Sequence, residues 1–441
     1  MRHFVRCSVI MLLGCASALC GCVSHSSVTV MTLRVSPDST QVAYSSTRLD
    51  ADGLPIAPNM HAVERFGWLM LDAAGEPKLL KLGSWRWNRA LHGDTYDVEE
   101  IADIKWSPDS RRVALLTNRA IHVVEPATEK IEQVCSFEKE TYQAGLTWTS
   151  SDDIAWWLID TTESETSDGI KTMRRLAIFR GKAAAGAKAR QVYLDDEKEP
   201  PFVFRSSPDG RFLIIRRTEN DRTRLVDLHT GRVTLLGPPA FAPYDATWKP
   251  DGSAVLLTPS PRSAGKLTIE GFPYVSSRHV LLVELPSGTV KGLTTRFAEL
   301  GDDAWVEGDT WTADGKFVVV RVEPDHILLQ PDPWRIIPLP APPGLERFDR
   351  IKPLAAAGWV CVEQGFMVTD QTQPGYPSYS KHYAMDYSGK HLVFLTQQDE
   401  WTVTPDGRLI VAENDTGKLT VRKLDLPAGE PSASSRISDA P

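Results

Sequence analysis

The chain has 441 residues, of which 42% are hydrophobic and 24% charged, so it carries enough apolar side chains for a sizeable core. Its 49 basic residues stand against 57 acidic ones, a formal net charge of −8, and no basic stripe stands out to follow a phosphate backbone. Nucleic-acid binding is therefore excluded as a class, and the length allows two or three ordinary domains or one large repeat array.

Met1-Arg2-His3-Phe4-Val5-Arg6 is a basic start, and Ser8 to Ala18 is a mostly apolar run that ends in small residues. This is the layout of a secretory signal peptide, too short for a membrane span. The run closes on Leu19-Cys20-Gly21-Cys22. That segment resembles the bacterial lipoprotein box, a Leu and two small residues before the Cys that is lipidated. The resemblance implies Cys22 as the lipid-attachment site, with Cys15 after Leu12-Leu13-Gly14, or simple cleavage, as alternatives. Val23 stands where an Asp would favour inner-membrane retention, so the same resemblance implies an outer-membrane lipoprotein of the cell envelope; it is expected to face the periplasm, with the exterior as the alternative. Its acyl chains would supply more than the two hydrophobic signals that stable anchoring needs.

Of six Cys, only Cys135 and Cys361 lie beyond position 22. Each falls in a predicted strand, in repeats far apart in order. Two buried apolar thiols are expected there rather than a disulfide.

From residue 35 onward one short phrase recurs. It reads Val35-Ser36-Pro37-Asp38-Ser39, Trp106-Ser107-Pro108-Asp109-Ser110 and Ser206-Ser207-Pro208-Asp209-Gly210. It returns as Trp248-Lys249-Pro250-Asp251-Gly252, Trp311-Thr312-Ala313-Asp314-Gly315 and Val403-Thr404-Pro405-Asp406-Gly407. Each copy precedes a short apolar run, such as Val42-Ala43-Tyr44 or Leu409-Ile410-Val411. The turn chemistry is specific: Pro presets φ, Asp bonds the backbone beyond it, and Gly accepts a left-handed conformation. Ser39 and Ser110 stand in place of that Gly, which predicts slight strain.

Around the second copy, Ile104-Lys105-Trp106, Arg112 to Leu116, Ile121 to Val124 and Lys130 to Val134 are four short strands with tight connections, a meander. The same grammar follows Asp209 and Asp251, and it precedes the last copy. The signature Asp residues are spaced by 71, 100, 42, 63 and 92 residues, so two intervals are of double length and predict two worn copies. One is Leu146 to Trp157 with Asp152 in register; the weaker one is Ile351 to Glu363, with Ala355 to Gly358 in place of the turn. Counting both gives eight units, and rejecting the second gives seven. Four-stranded units repeated this often close radially, so the fold class expected is an all-β β-propeller of eight four-stranded blades, with seven as the alternative. A solenoid is the competing architecture, but these meanders lack a helical return. One propeller domain over residues 28–425 is expected, followed by a disordered tail, 426–441, rich in Pro, Ser and Ala.

The phrase Trp-Ser-Pro-Asp-Gly followed by Lys or Arg, closest in Trp248-Lys249-Pro250-Asp251-Gly252 and Thr404-Pro405-Asp406-Gly407-Arg408, resembles that of TolB-type, WD-repeat-like propellers. These occur in periplasmic proteins and in prolyl oligopeptidase relatives. The resemblance is specific for fold and implies binding of proteins, peptides or sugars without saying which. It carries over no catalytic residue, because the motif residues are turn residues.

Motifs for chemistry are scarce. The chain contains no Gly-x-Ser-x-Gly elbow, no His-Glu-x-x-His and no paired Cys-x-x-Cys, so no catalytic residue, metal site or cofactor is assigned. Gly181 to Gly186 has Ala187 where a phosphate loop needs Lys, which makes it a hairpin loop. Asp160 to Asp168 lacks the ligand alternation of a calcium loop, and a solvated loop is expected there. Trp106, Trp148, Trp248 and Trp311 share one repeat position and are expected to pack between blades.

Loop length is the remaining signal. The first-to-second turns are tight, whereas length collects in Thr47 to Phe66, Ser84 to Ala102, Pro259 to Ser277 and Phe366 to Lys381, all on the opposite face. That face is the expected binding surface. Its candidate partner-binding residues are Trp85, Trp87, Arg89, His92 and Tyr96, with Tyr274, Arg278, Tyr376 and Tyr379. The function expected is a non-catalytic, lipid-anchored propeller that binds an envelope protein, peptide or glycan. A propeller-based polysaccharide lyase or hydrolase at the channel mouth, or a structural subunit of an envelope assembly, are the alternatives.

Overall fold

The computed structural model describes residues 27–426, except 50–64, 72–76, 82–89, 93–94, 98–100, 138–143, 167–168, 196–201, 217–222, 237–242, 260–265, 270–271, 277–279, 294–305, 323–324, 340–349, 357, 368–377, 399 and 414–417. The signal peptide, Cys22 and the tail from 427 lie outside the described residues.

Seven four-stranded antiparallel blades follow one another, and a three-stranded eighth unit comes last. Blade 1 is Ser27–Val35, Gln41–Leu49, Arg65–Leu71 and Pro77–Lys81; blade 2 is Ile101–Trp106, Val113–Thr117, Ala120–Glu125 and Lys130–Ser136. Blade 3 is Ala144–Trp148, Asp153–Thr166, Gly169–Lys182 and Arg190–Asp195; blade 4 is Phe202–Ser206, Phe212–Arg216, Thr223–Asp227 and Val233–Leu236. Blade 5 comprises Pro243–Trp248, Ala254–Pro259, Leu281–Glu284 and Thr289–Gly292, and a separate hairpin, Lys266–Ile269 with Phe272–Ser276, is inserted before its third strand. Blade 6 is Val306–Trp311, Val318–Val322, Asp325–Pro331 and Trp334–Leu339; blade 7 is Arg350–Pro353, Trp359–Met367, Ser378–Asp386 and Leu392–Thr396. The eighth unit is Trp401–Val403, Arg408–Ala412 and Leu419–Lys423.

Alternation of side chains explains how one sheet serves two neighbours. In blade 2, Val113 and Leu115 pack with Ala43 and Phe66 of blade 1, whereas Ala114 and Leu116 pack with Leu146 and Trp156 of blade 3. A strand with both faces buried has no polar side, which is why these segments read as unbroken apolar runs. The same arrangement repeats around the molecule, giving eight apolar clusters, each at one interface between successive units. The eighth unit packs on blade 7 through Leu409 and on blade 1 through Ile410 and Ala412. The ring is therefore closed: the fold is a β-propeller of seven four-stranded blades plus a three-stranded unit between the last and the first. Both worn copies are present, as the first two strands of blades 3 and 7.

Several sequence expectations are corrected. Asp160 to Asp168 is not a loop over its described residues: Asp160 to Thr166 continues the second strand of blade 3, with Asp160 opposite Arg175, Glu163 opposite Thr172 and Ser164 opposite Lys171. Thr-rich sequence with opposite charges across the pair suits a solvated two-stranded ribbon. The long segments on the far face are also partly strand: Ala90–His92 pairs with Thr95–Asp97, and Trp359–Met367 runs on against Ser378–Asp386. Cys361 is fully buried and its thiol is pushed up to about 12 by burial, but Cys135 is only half-buried, its thiol raised to about 11 mainly for the same reason.

Candidate functional site

The signature turns are built by a Ser or Thr hydroxyl that works twice. In blade 4, Ser207 Oγ donates to Asp209 Oδ1 at 2.5 Å and accepts from the Phe212 amide at 2.9 Å, while the Gly210 amide donates to the Ser207 carbonyl at 2.9 Å. Ser36, Ser107 and Thr312 repeat the arrangement with Asp38, Asp109 and Asp314 at 2.6–2.7 Å, and Thr404 repeats it with Asp406. Lys249 breaks it, and Asp251 takes instead the Ser253 hydroxyl at 2.6 Å and the Lys249 ammonium at 3.0 Å. Burial pushes the Asp251 carboxyl up, but the Ser253 hydroxyl and amide and the Lys249 ammonium outweigh it and hold it at about 2. Burial also opposes the shifts of Asp38, Asp109 and Asp406, and turn hydrogen bonds hold all three below the usual carboxylate range. These acids are occupied in their own turns. Ser39 and Ser110 do take φ values of 62° and 61°, as the missing Gly predicts.

Trp at the repeat position before the turn ties blades 2, 3 and 5 to their predecessors. The Nε1 of Trp106 donates to the Arg34 carbonyl at 2.8 Å, Trp148 to Lys105 at 2.9 Å and Trp248 to Arg205 at 2.9 Å. Packing between blades, expected for these side chains, is what they do. Trp311 departs from the series: it is 4% exposed, yet its Nε1 has no hydrogen-bond partner among the described residues.

A cavity of about 720 Å³ opens at the channel mouth on the signature-turn side. Its wall is drawn from one register of the repeat in five consecutive units. The position two before the turn residue supplies Arg205, Thr247, Thr310, Pro353 and Thr402, and the next position supplies Ser206, Trp248, Trp311, Leu354 and Val403. Lys352 and Trp401 stand beside them with Pro208, Pro250, Ala313 and Ala355, and no carboxylate is among the described residues that line it. In blades 1 to 3 the first of these positions holds Arg34, Lys105 and Thr147, so around the ring it carries three cations and no acid. Arg205 is exposed, and its guanidinium has no partner among the described residues. Lys352 pairs with Glu363 at 2.9 Å. Burial raises the Glu363 carboxyl, and the ammonium outweighs it and holds the group below its ordinary value.

A smaller crevice of about 290 Å³ lies between blades 2 and 3, lined by Asp109, Arg112, Glu132 and Asp152. Arg112 spans it, pairing with Asp152 at 2.7 Å, bonding the Ser151 carbonyl and lying 5.3 Å from the centre of the Trp148 ring. Its charges are spent on each other, which makes it a blade-to-blade brace. Among the described residues no cluster of His, Cys, Asp and Glu could hold a metal, and no helix is long and apolar enough to cross a membrane.

Of the residues expected on the opposite face, Trp85, Trp87, Arg89, Arg278 and Tyr376 lie outside the described residues. The backbone places His92 and Tyr96 on the two strands of the hairpin between blades 1 and 2, Tyr274 on the hairpin inserted in blade 5, and Tyr379 opposite Phe366 at the far end of blade 7. The channel-mouth residues Arg205, Lys352 and Trp401 were not singled out from the sequence. Their signal was the register itself, read two or three residues ahead of each turn.

No protein-family model matches the chain, and no curated protein matches it. Solved structures match it at low identity. The tricorn protease is 12% identical over 90% of this chain and 42% of its own, with a TM-score of 0.45. A Pyrococcus horikoshii acylaminoacyl peptidase is 13% identical over 84% and 52%, at 0.46, and TolB from Acinetobacter baumannii is 14% identical over 73% and 75%, at 0.34. The chain thus spans about half or less of the two peptidases. The fold itself rests on the sheet order and the eight interface clusters.

Proposed function

We propose that this chain is a non-catalytic propeller of the cell envelope, held at the outer membrane by a lipid on Cys22 and facing the periplasm. Its partner is an envelope protein, peptide or glycan, and it binds through the face opposite the signature turns. The observation that supports this reading is where the extra chain goes. On the signature side the first-to-second connections are short turns, whereas the inserted hairpin Lys266–Ile269 with Phe272–Ser276 and the 14-residue ribbon strands of blade 3 extend from the other side. Long excursions from one side of a rigid scaffold are where recognition is usually placed. Aromatic residues with Arg, as in Trp85, Trp87 and Arg89, suit such a surface.

The test is co-purification from detergent-solubilised envelope with the native chain and with Trp85→Ala/Trp87→Ala. A partner recovered with the first and lost with the second is expected; equal recovery rejects the assigned face. Cys22→Ser should release the protein from the membrane fraction, and continued membrane association would reject the anchor.

A further inference from the structure

We propose that the channel mouth on the signature-turn side is a second binding site, and that it takes an extended acidic peptide segment. This site is independent of the opposite face discussed above. Charge carries the first part of the inference. The chain as a whole is net negative by 8, yet among the described residues the wall of the 720 Å³ cavity carries no carboxylate, and of its two cations Lys352 is paired with Glu363 while Arg205 is unpaired. Low-dielectric walls with one sign of charge focus a field on whatever enters. The turn aspartates on the same face are held by hydroxyls, amides and, at Asp251 and Asp406, by the Lys249 and Arg408 of their own turns, and none pairs with Arg205 or Lys352 among the described residues.

Unspent donors carry the second part. The Arg205 guanidinium is exposed and unpaired among the described residues, and the Trp311 indole N–H is buried without an acceptor. A buried donor left unmade is costly, so an acceptor arriving in the cavity gains more than one arriving at a solvated surface. Both donors call for oxygen, and Arg calls for carboxylate.

Backbone and burial decide between a peptide and an anionic sugar. The first strands of blades 4 to 7 and of the eighth unit are each terminal in their sheets, so each turns an unladdered edge toward the channel. An extended peptide can bond such edges by its main chain. A sugar would want open aromatic faces, but Trp248 and Trp311 are 7% and 4% exposed, which leaves the half-buried Trp401 as the one partly open aromatic ring among the described residues of the wall.

The experiment uses the full-length protein in detergent and fluorescein-labelled hexaglutamate, followed by anisotropy. Saturable binding that weakens as salt is added is expected. Arg205→Glu should weaken it roughly tenfold or more, the effect of losing a charge-assisted bond. Arg175→Glu makes the same charge change on the blade 3 ribbon and should alter it by less than about twofold, as a distant screened charge. Absence of saturable binding, or equal losses in the two variants, would overturn the proposal. So would tighter binding of hexagalacturonate than of hexaglutamate. Indole resonances supply a second readout: one N–H signal, missing in Trp311→Phe, should move on titration, and an unmoved signal counts against the site.

Discussion

At the scale of single residues, the Ser/Thr-x-Asp-Gly turn is a small hydrogen-bond network whose members can be removed one at a time. Thr312 is fully buried and bridges Asp314 Oδ1 at 2.7 Å and the Phe317 amide at 3.1 Å. Thr312→Val keeps the shape, orphans the Phe317 amide and leaves Asp314 Oδ1 only the Lys316 amide at 3.1 Å, so it should cost about 1–3 kcal/mol in urea unfolding. The glycines separate two effects. Gly407 has φ +83° with nothing within 4 Å of an added Cβ, and Gly407→Ala should cost about 1 kcal/mol, the price of a left-handed Ala. Gly210 has φ +67°, and a Cβ there would stand 1.6 Å from the Trp148 carbonyl oxygen of the preceding blade. Gly210→Ala should therefore cost roughly 3 kcal/mol or more, and equal losses at the two sites would refute the close approach.

The turn acids also set an acid limit. Asp251 falls from 3.8 to about 2 on folding, and Asp38, Asp109 and Asp406 move the same way. A depressed carboxyl stabilises the native state above its unfolded value, and that stability is lost as pH falls through the folded one. The urea midpoint should hold near neutrality and decline between about pH 4 and 2. A midpoint flat across that range would show that these bonds contribute nothing net.

At the scale of elements, Trp before the turn is a latch from blades 2, 3 and 5 to the blade before each. Trp106→Phe keeps most of the ring in the interface and removes the 2.8 Å bond to the Arg34 carbonyl. A loss of about 1 kcal/mol is expected, whereas Trp311→Phe, at a position whose Nε1 bonds nothing among the described residues, should cost less. Worn copies fold as blades because the interface, not the turn phrase, holds them. Val360, Val362 and Met385 of blade 7 pack on Val319 and Leu328 of blade 6, although Ala355 to Gly358 has lost the Pro-Asp chemistry. The acidic run in blade 3 was misjudged as loop for the converse reason. Its strand character comes from pairing across the hairpin, with Arg175 opposite Asp160 and Lys171 opposite Ser164, partners that lie outside the acidic run itself.

At the scale of the molecule, the eighth unit closes the ring with three strands. Ile410 and Ala412 seat against Leu33 and Tyr44 of blade 1, and the Arg408 guanidinium donates to the Ser39 carbonyl across 369 positions of sequence. Ile410→Ala should cost about 2–5 kcal/mol, with the cavity left at the closing interface. A value under about 1 kcal/mol would mean that the ring does not depend on this joint.

The sequence by itself determined the unit and left its count at eight or seven; the structure has seven four-stranded blades and a three-stranded eighth unit. Period-2 apolar runs, turn residues with one preferred geometry and a recurring phrase are all local, so they were legible in register, down to Asp152 and Ala355 in worn copies. Which strand faces meet, and what the channel mouth contains, was decided only by closure. Arg205, Trp311 and Lys352 are 41 or more residues apart, and they share a wall because five first strands converge on one axis. Convergence is a property of the ring, and no single blade possesses it.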